Sequence, residues 1–195
     1  MNRPHTPIIL ASQSPRRIEL LKQIINNFLV IPSEVDEVLS SNLSPEENTM
    51  ALGRKKAQWV ANHHPHHCVI GADTLVVLEN EIIGKPANVD EAHQILKRLS
   101  GREHKVITGV AVVCSNTLSA ATVSQVRIKH LTENEIFSYV TSGEPMDKAG
   151  AYAIQGKGAS LVEGYKGSYS NIIGLPIDTL KDLLQRSGIY FDNSS

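Results

Sequence analysis

Apolar positions along the chain alternate between two spacings, and together they predict a mixed order of strands and helices. The short run Pro7-Ile8-Ile9-Leu10-Ala11 reads as a buried strand. Behind it, Ile18, Leu21, Ile24 and Ile25 recur at helical spacing, with Ser14 as N-cap and Pro15 at the first helical position. Residues 28–31 read as a second strand that runs into the acidic turn Ser33-Glu34-Val35-Asp36-Glu37. Ser44-Pro45-Glu46-Glu47 opens a helix with a full capping box, its apolar positions being Met50, Leu52, Trp59 and Val60. Residues 68–78 are the most apolar stretch and predict a central strand, with a hairpin turn at Glu79-Asn80 returning through Ile82 and Ile83.

The second half continues in the same manner. Asn88 to Leu99 is amphipathic, with Ala92, Ile95, Leu96 and Leu99 inward. Residues 106–114 and 120–128 alternate as two paired strands, and Thr132 to Glu135 cap a helix ending near Gly143. A glycine-rich segment from Glu144 to Gly174 has little periodicity; segments of this length are functional or hide short strands, and 159–162 is expected as one. Residues 176–186 predict a last helix, followed by a frayed tail from Asp192. No internal repeat or linker composition divides the chain, so a single domain over 1–195 is expected.

Composition narrows the function classes. The 195 residues are 41% hydrophobic and 20% charged, with a formal net charge of −1, which gives no electrostatic reason to expect nucleic acid as partner. No apolar run reaches membrane-spanning length, and none at the N-terminus suits a signal peptide. Cys68 and Cys114 are far apart in sequence within apolar surroundings and are expected as separate reduced core residues. A cytoplasmic protein is the expectation.

Three places hold candidate chemistry. At Ser12 to Arg17, uncapped amides of a helix start stand beside two guanidinium groups; this suits an anion, and equally a plain capped turn with solvent-facing arginines. Asp73 lies inside the predicted central strand, where a carboxylate must be paired, hydrogen-bonded or metal-bound. Gly71 beside it allows a close backbone approach, and the hairpin could return Lys85 as a partner. In the basic run Arg54-Lys55-Lys56, one lysine could lean into a cleft. His63-His64-Pro65-His66-His67 is interrupted by proline between two predicted elements, has no acidic partner nearby, and reads as a surface loop rather than a zinc site.

In order and spacing, the motifs resemble the Maf family of nucleoside triphosphate pyrophosphatases. The matching pieces are Ala-Ser-Gln-Ser-Pro-Arg-Arg at 11–17, Val35-Asp36-Glu37, Lys56-Ala57, Gly71-Ala72-Asp73-Thr74, Gly84-Lys85-Pro86, Ser100-Gly101, Asp147 to Tyr152, Ile154-Gln155-Gly156 and Gly174-Leu175-Pro176. The resemblance implies a long curved mixed β-sheet flanked by helices, in two lobes around a cleft, as in inosine triphosphate pyrophosphatases. It implies hydrolysis of a nucleoside triphosphate to monophosphate and pyrophosphate, in a house-cleaning or cell-division-linked role.

By the same resemblance Asp73 is the catalytic carboxylate, and Glu37 shares with it a divalent cation, Mg²⁺, Mn²⁺ or Co²⁺. Lys56 and Lys85 face the phosphates, with Ser12 and Arg16 at the strand-to-helix turn. Arg16, Thr74 and Gln155 match the subfamily acting on dTTP and UTP, with CTP and modified pyrimidine nucleotides as further substrates. The sister subfamily acting on 7-methyl-GTP carries Trp, Gln and Glu there. Lys55 stands where family members often carry an acid. A homodimer is the implied assembly. The alternatives are a pyrophosphatase for 7-methyl-GTP or other modified nucleotides, and a non-catalytic septum-formation binding protein.

Overall fold

A computed structural model describes residues 6–190, so the expected frayed tail lies outside the described residues. In chain order the elements are β1 (Ile8–Leu10), α1 (Pro15–Lys22), β2 (Leu29–Val30), α2 (Pro45–His63), β3 (Cys68–Leu78), β4 (Glu81–Ile83) and α3 (Val89–Leu99). There follow β5 (Glu103–Val113), β6 (Thr117–Ile128), α4 (Glu133–Val140), β7 (Val162–Lys166), α5 (Tyr169–Ile173) and α6 (Ile177–Arg186). Among the described residues, seven strands form one sheet in the order β2-β1-β3-β5-β6-β7, with β4 paired to β3. The sheet is mixed, since β1 runs parallel to β2 and β3 while β3–β4 and β6–β7 are antiparallel. The expected mixed sheet with accompanying helices is therefore present.

The residues group into two compact units. Among the described residues, the first comprises 6–73, 108–122 and 174–190, and the second Thr74–Ile107 and Val123–Ile173. In the first, Ala57 and Val60 of α2 pack with Ile9, Ala11, Val69, Ala111 and Val113. The helix starts at a complete capping box, in which Ser44 accepts from the Glu47 amide and the Glu47 carboxylate accepts from the Ser44 amide. What seats α2 on the sheet is the absence of side chains. A Cβ at Gly71 of β3 would lie 2.3 Å from the Gly53 carbonyl oxygen, and one at Gly109 of β5 would lie 2.3 Å from the Thr49 carbonyl carbon. The expected close approach at Gly71 is thus made by α2.

Cys68 and Cys114 also belong to this unit, and they correct the sequence reading. They form a disulfide, with Cα atoms 4.4 Å apart at a sequence separation of 46. Separation along the chain carried no information, because the start of β3 and the end of β5 stand opposite each other. The cytoplasmic expectation loses the support it drew from reduced thiols. No helix among the described residues is long and apolar enough to cross a membrane.

The second unit is built on α3, whose buried Ala92, Ile95, Leu96 and Leu99 are the four expected positions. They pack with Val76, Ile83, Val106, Val126, Ile136 and Tyr152 in one core. Glu79 and Asn80 adopt positive φ at the β3–β4 turn, as a tight two-residue hairpin requires. The segment expected as a strand over 159–162 is instead a 3-10 turn over Gly156–Leu161, and the strand begins at Val162.

His104 of β5 is buried in this core, its Nε2 2.7 Å from the Tyr152 hydroxyl. Its Nδ1 has no hydrogen-bond partner among the described residues. Burial lowers the imidazole pKa to about 4.

Two consequences can be measured. Gly71→Ala should lower stability by roughly 2 kcal/mol, because the added methyl meets backbone that cannot rotate away; a denaturant midpoint indistinguishable from wild type would contradict this seating of α2. For His104, the folded-state value of about 4 lies below the unfolded value of about 6.5. Its stabilising contribution is therefore complete above pH 6.5 and is lost as pH falls towards 4, by about 3 kcal/mol in all. Denaturation at pH 7 and pH 4 should show a smaller acid loss for His104→Gln than for the wild type.

Candidate functional site

The first unit gathers five of the eight expected site residues: Ser12, Arg16, Glu37, Lys56 and Asp73. Helical geometry explains the most telling contact. Gly53, Lys56 and Ala57 share one face of α2, while Gly71 and Asp73 share one face of β3. With Gly53 and Ala57 resting on Gly71, Lys56 falls beside Asp73. Lys56 Nζ donates to Asp73 Oδ1 at 2.7 Å and meets Glu37 Oε1, also at 2.7 Å. Lys56 and Asp73 are each only 6% exposed, so this is a buried ion pair, whereas Glu37 is half in solvent. Of the basic run, Arg54 and Lys55 are exposed and Lys56 alone turns inward. The cation bonded to Asp73 is Lys56, where the hairpin argument had looked to Lys85.

The acidic segment has no regular structure, yet α2 holds it at several points. Lys55 Nζ donates to the Asp36 carbonyl oxygen at 2.8 Å, and Asn48 exchanges hydrogen bonds with the Ser40 backbone. Successive lysines therefore grip the backbone of Asp36 and the side chain of Glu37.

At the strand-to-helix turn, Ser14 makes no side-chain cap, contrary to expectation. Ser12 organises the turn instead. Its buried hydroxyl accepts from the Ser14 amide at 3.2 Å and from Arg17 at 3.4 Å. Arg17 Nε also donates to the Gly174 carbonyl oxygen at 2.8 Å. Burial draws Arg17 below its ordinary pKa, against the opposing pull of Asp73 and Glu37, and the guanidinium stays charged.

The sequence reading named Arg17 only as one of two guanidinium groups at this turn, and did not foresee that it turns inward to bond Ser12 and Gly174. The signal was available: Arg17 stands three and four positions before Leu20 and Leu21, the buried residues of α1, and so begins their stripe. Arg16, half-buried, occupies the neighbouring position.

The second unit holds the other three, Thr74, Lys85 and Gln155. Thr74 is half-buried on β3, while Lys85 and Gln155 are exposed. The Gly150 amide donates to the Gly84 carbonyl at 3.0 Å, tying the 149–151 turn to the residue before Lys85. Gly150 has φ +73, and a Cβ there would press Val76 at 3.1 Å.

Among the described residues, no group of three or more His, Cys, Asp or Glu side chains converges on a metal position. The histidine loop is taken up by local contacts: His63 Nδ1 lies 3.0 Å from the Trp59 carbonyl, and the His64 and His67 rings meet edge-on. Glu37 and Asp73, in contrast, already share one cation, the Lys56 ammonium. Two carboxylates fit the protein's share of a Mg²⁺-type site, where water and phosphate oxygens complete the shell.

The sequence model of the Maf family, described as Maf-like protein, matches residues 7–187. The dTTP/UTP pyrophosphatase of Caldicellulosiruptor bescii is 48% identical over 188 residues, covering 93% of this chain and 94% of that protein. Proteins of the same name from Clostridioides difficile and Myxococcus xanthus are 47% and 45% identical, covering 92% and 97% of this chain and 94% and 96% of theirs. Among solved structures, a nucleoside-triphosphatase / dITP/XTP pyrophosphatase from Mycobacterium abscessus aligns with 64% of this chain and 75% of that one, at 14% identity and TM-score 0.42.

Removing the charge of Lys56 tests the buried pair. Lys56→Met should cost about 3 kcal/mol, since it strands Asp73 without its bonded cation. The double variant Lys56→Met/Asp73→Asn should recover much of that loss; equal destabilisation in single and double variants would refute a charge-based origin.

Proposed function

The chain belongs to the Maf family, and on that footing we propose that it hydrolyses dTTP and UTP to the monophosphate and pyrophosphate, with CTP and modified pyrimidine nucleotides as lesser substrates. The observation that supports this most is the convergence of Asp73 and Glu37 on one buried ammonium. Carboxylates held together around a cation suit a site for a divalent ion and a polyphosphate. The relatives named for this activity add weight to the choice of substrate.

In this reading water attacks the α-phosphorus and the bond from it to the oxygen bridging to the β-phosphate breaks, releasing pyrophosphate. Glu37 and Asp73 would hold a divalent cation, which when bound would supply charge neutralisation and a lowered pKa for water. Asp73 accepts a hydrogen bond from the attacking water, orients it and takes its proton as the bond to phosphorus forms. Lys56 offsets charge growing on the non-bridging oxygens, a preorganised role because its position is already fixed by two carboxylates. Lys85, Ser12, Arg16 and Arg17 bind the remaining phosphate oxygens.

Thr74 and Gln155 read the base. The Gln155 amide can donate to O4 and accept from N3–H of uracil or thymine. A glutamate in its place could only accept, and would suit the donor edge of guanine.

The deciding measurement is pyrophosphate release with Mg²⁺ or Mn²⁺ from dTTP, UTP, CTP, dATP, GTP and 7-methyl-GTP. dTTP and UTP should be the best substrates, and Asp73→Asn should reduce their turnover by roughly 10²–10⁴-fold. A preference for 7-methyl-GTP would overturn the base assignment, and release unaffected by Asp73→Asn would overturn the catalytic one.

A further inference from the structure

In the second unit, a pair of side chains grips the segment around Gln155 from both sides. Tyr139, 4% exposed on α4, receives the Ala153 amide on its hydroxyl oxygen at 3.2 Å. The same hydroxyl donates to Glu144 Oε1 at 3.0 Å. Glu144 in turn accepts from the Gly158 amide through Oε1 at 3.0 Å and from the Lys157 amide through Oε2 at 3.1 Å. Residue 155 is therefore anchored two positions before and two and three positions after by one hydrogen-bonded dyad, while its own side chain remains exposed.

The segment is shaped to accept this grip. Gly156 has φ +63, and a Cβ there would lie 3.0 Å from Glu144 Oε2. At Gly158 a Cβ would lie 2.7 Å from the Tyr139 hydroxyl oxygen and 2.3 Å from the Ala153 carbonyl oxygen. The supports of the dyad are firm as well. α4 begins at a capping box, where Thr132 accepts from the Glu135 amide and Glu135 returns a bond to the Thr132 amide. Ser142 bridges the Tyr139 carbonyl and the Glu144 amide, and Lys148 Nζ bonds the Glu144 carbonyl.

We propose that Tyr139 and Glu144 are specificity-positioning residues: as a clamp, they set the place of Gln155 and through it the preference for uracil and thymine. This rests on the reading of Gln155 as the base-contacting residue. Neither clamp residue touches the nucleotide. Their electrostatics suit the role. Burial opposes ionisation of Glu144, but the two amides, the Tyr139 hydroxyl and Lys148 outweigh it and hold the carboxyl below its usual range. Burial and the Glu144 charge raise the Tyr139 pKa, keeping its hydroxyl a donor.

Glu144→Gln is the sharpest perturbation. A neutral amide has one acceptor oxygen and a donor NH₂ group, so it cannot receive all three bonds. Tyr139→Phe removes only the hydroxyl and its two bonds. The experiment measures kcat and KM for UTP and ATP, with competitive inhibition by pyrophosphate as a report on the phosphate positions. Wild type, both clamp variants, Gln155→Ala and Glu144→Gln/Gln155→Ala are compared, with folding checked by thermal denaturation.

The expected result for each clamp variant is a fall of about 10-fold or more in the ratio of kcat/KM for UTP over ATP. The loss should appear in KM for UTP, with pyrophosphate inhibition unchanged. The double variant should be no less selective than Gln155→Ala alone, because both changes act on one contact. If Gln155→Ala leaves the ratio unchanged, the base-reading assignment falls and the clamp with it. If Gln155→Ala collapses the ratio while the clamp variants retain it, the clamp alone is refuted. Should Glu144→Gln fail to fold, Tyr139→Phe decides by the same criteria.

Discussion

Placing a helix directly against a strand, with no side chains between them, is the constraint from which the candidate site follows. A layer of ordinary side chains would hold α2 away from β3 and part Asp73 from the Lys56 ammonium bonded to it. Glycines at 53, 71 and 109 remove that layer, and the helix comes down until backbone meets backbone. Lys56 then has a single carboxylate beneath it in the strand and a second one, Glu37, at its rim. Packing and chemistry are thus the same fact: the residues that let α2 settle also decide where the ammonium ends.

A buried ion pair is seldom a good way to stabilise a protein, since desolvation offsets most of the attraction. Its value here lies in arrangement. Lys56 keeps two carboxylates at a shared point, so their mutual repulsion is already overcome. In the other unit the same principle recurs with weaker groups. A tyrosine and a glutamate organise backbone amides around Gln155, leaving the side chain itself exposed. In both places, supporting residues fix the position of a group that the proposed function sets against the nucleotide.

What could be read from the residues alone was whatever local rules determine. α2, α3 and α4 start where caps and apolar spacing place them, and the four inward positions of α3 are those its periodicity predicts. Asp73 stood out because a carboxylate inside an apolar strand demands a partner. Which partner it takes depends on how strands and helices meet, and local pattern could not distinguish Lys85 from Lys56. The cysteines failed for the same reason: strand pairing across 46 residues brings Cys68 to Cys114, and neither neighbourhood encodes it. Ser14 shows a third kind of limit. It has the chemistry of a cap, but Ser12 two residues earlier takes over the turn through Arg17.

The bond from Arg17 to the Gly174 carbonyl joins positions 157 residues apart. The first unit is drawn from the beginning, the middle and the last stretch of the chain. During synthesis, β1 and α1 leave the ribosome early but must wait for nearly the whole polypeptide before that guanidinium can be fixed. The second unit lies within the intervening sequence and can complete its own core sooner. Completion of the first unit is therefore a late event in the life of a nascent molecule, and partly made chains with a finished second unit still lack an ordered strand-to-helix turn at Ser12 to Arg17.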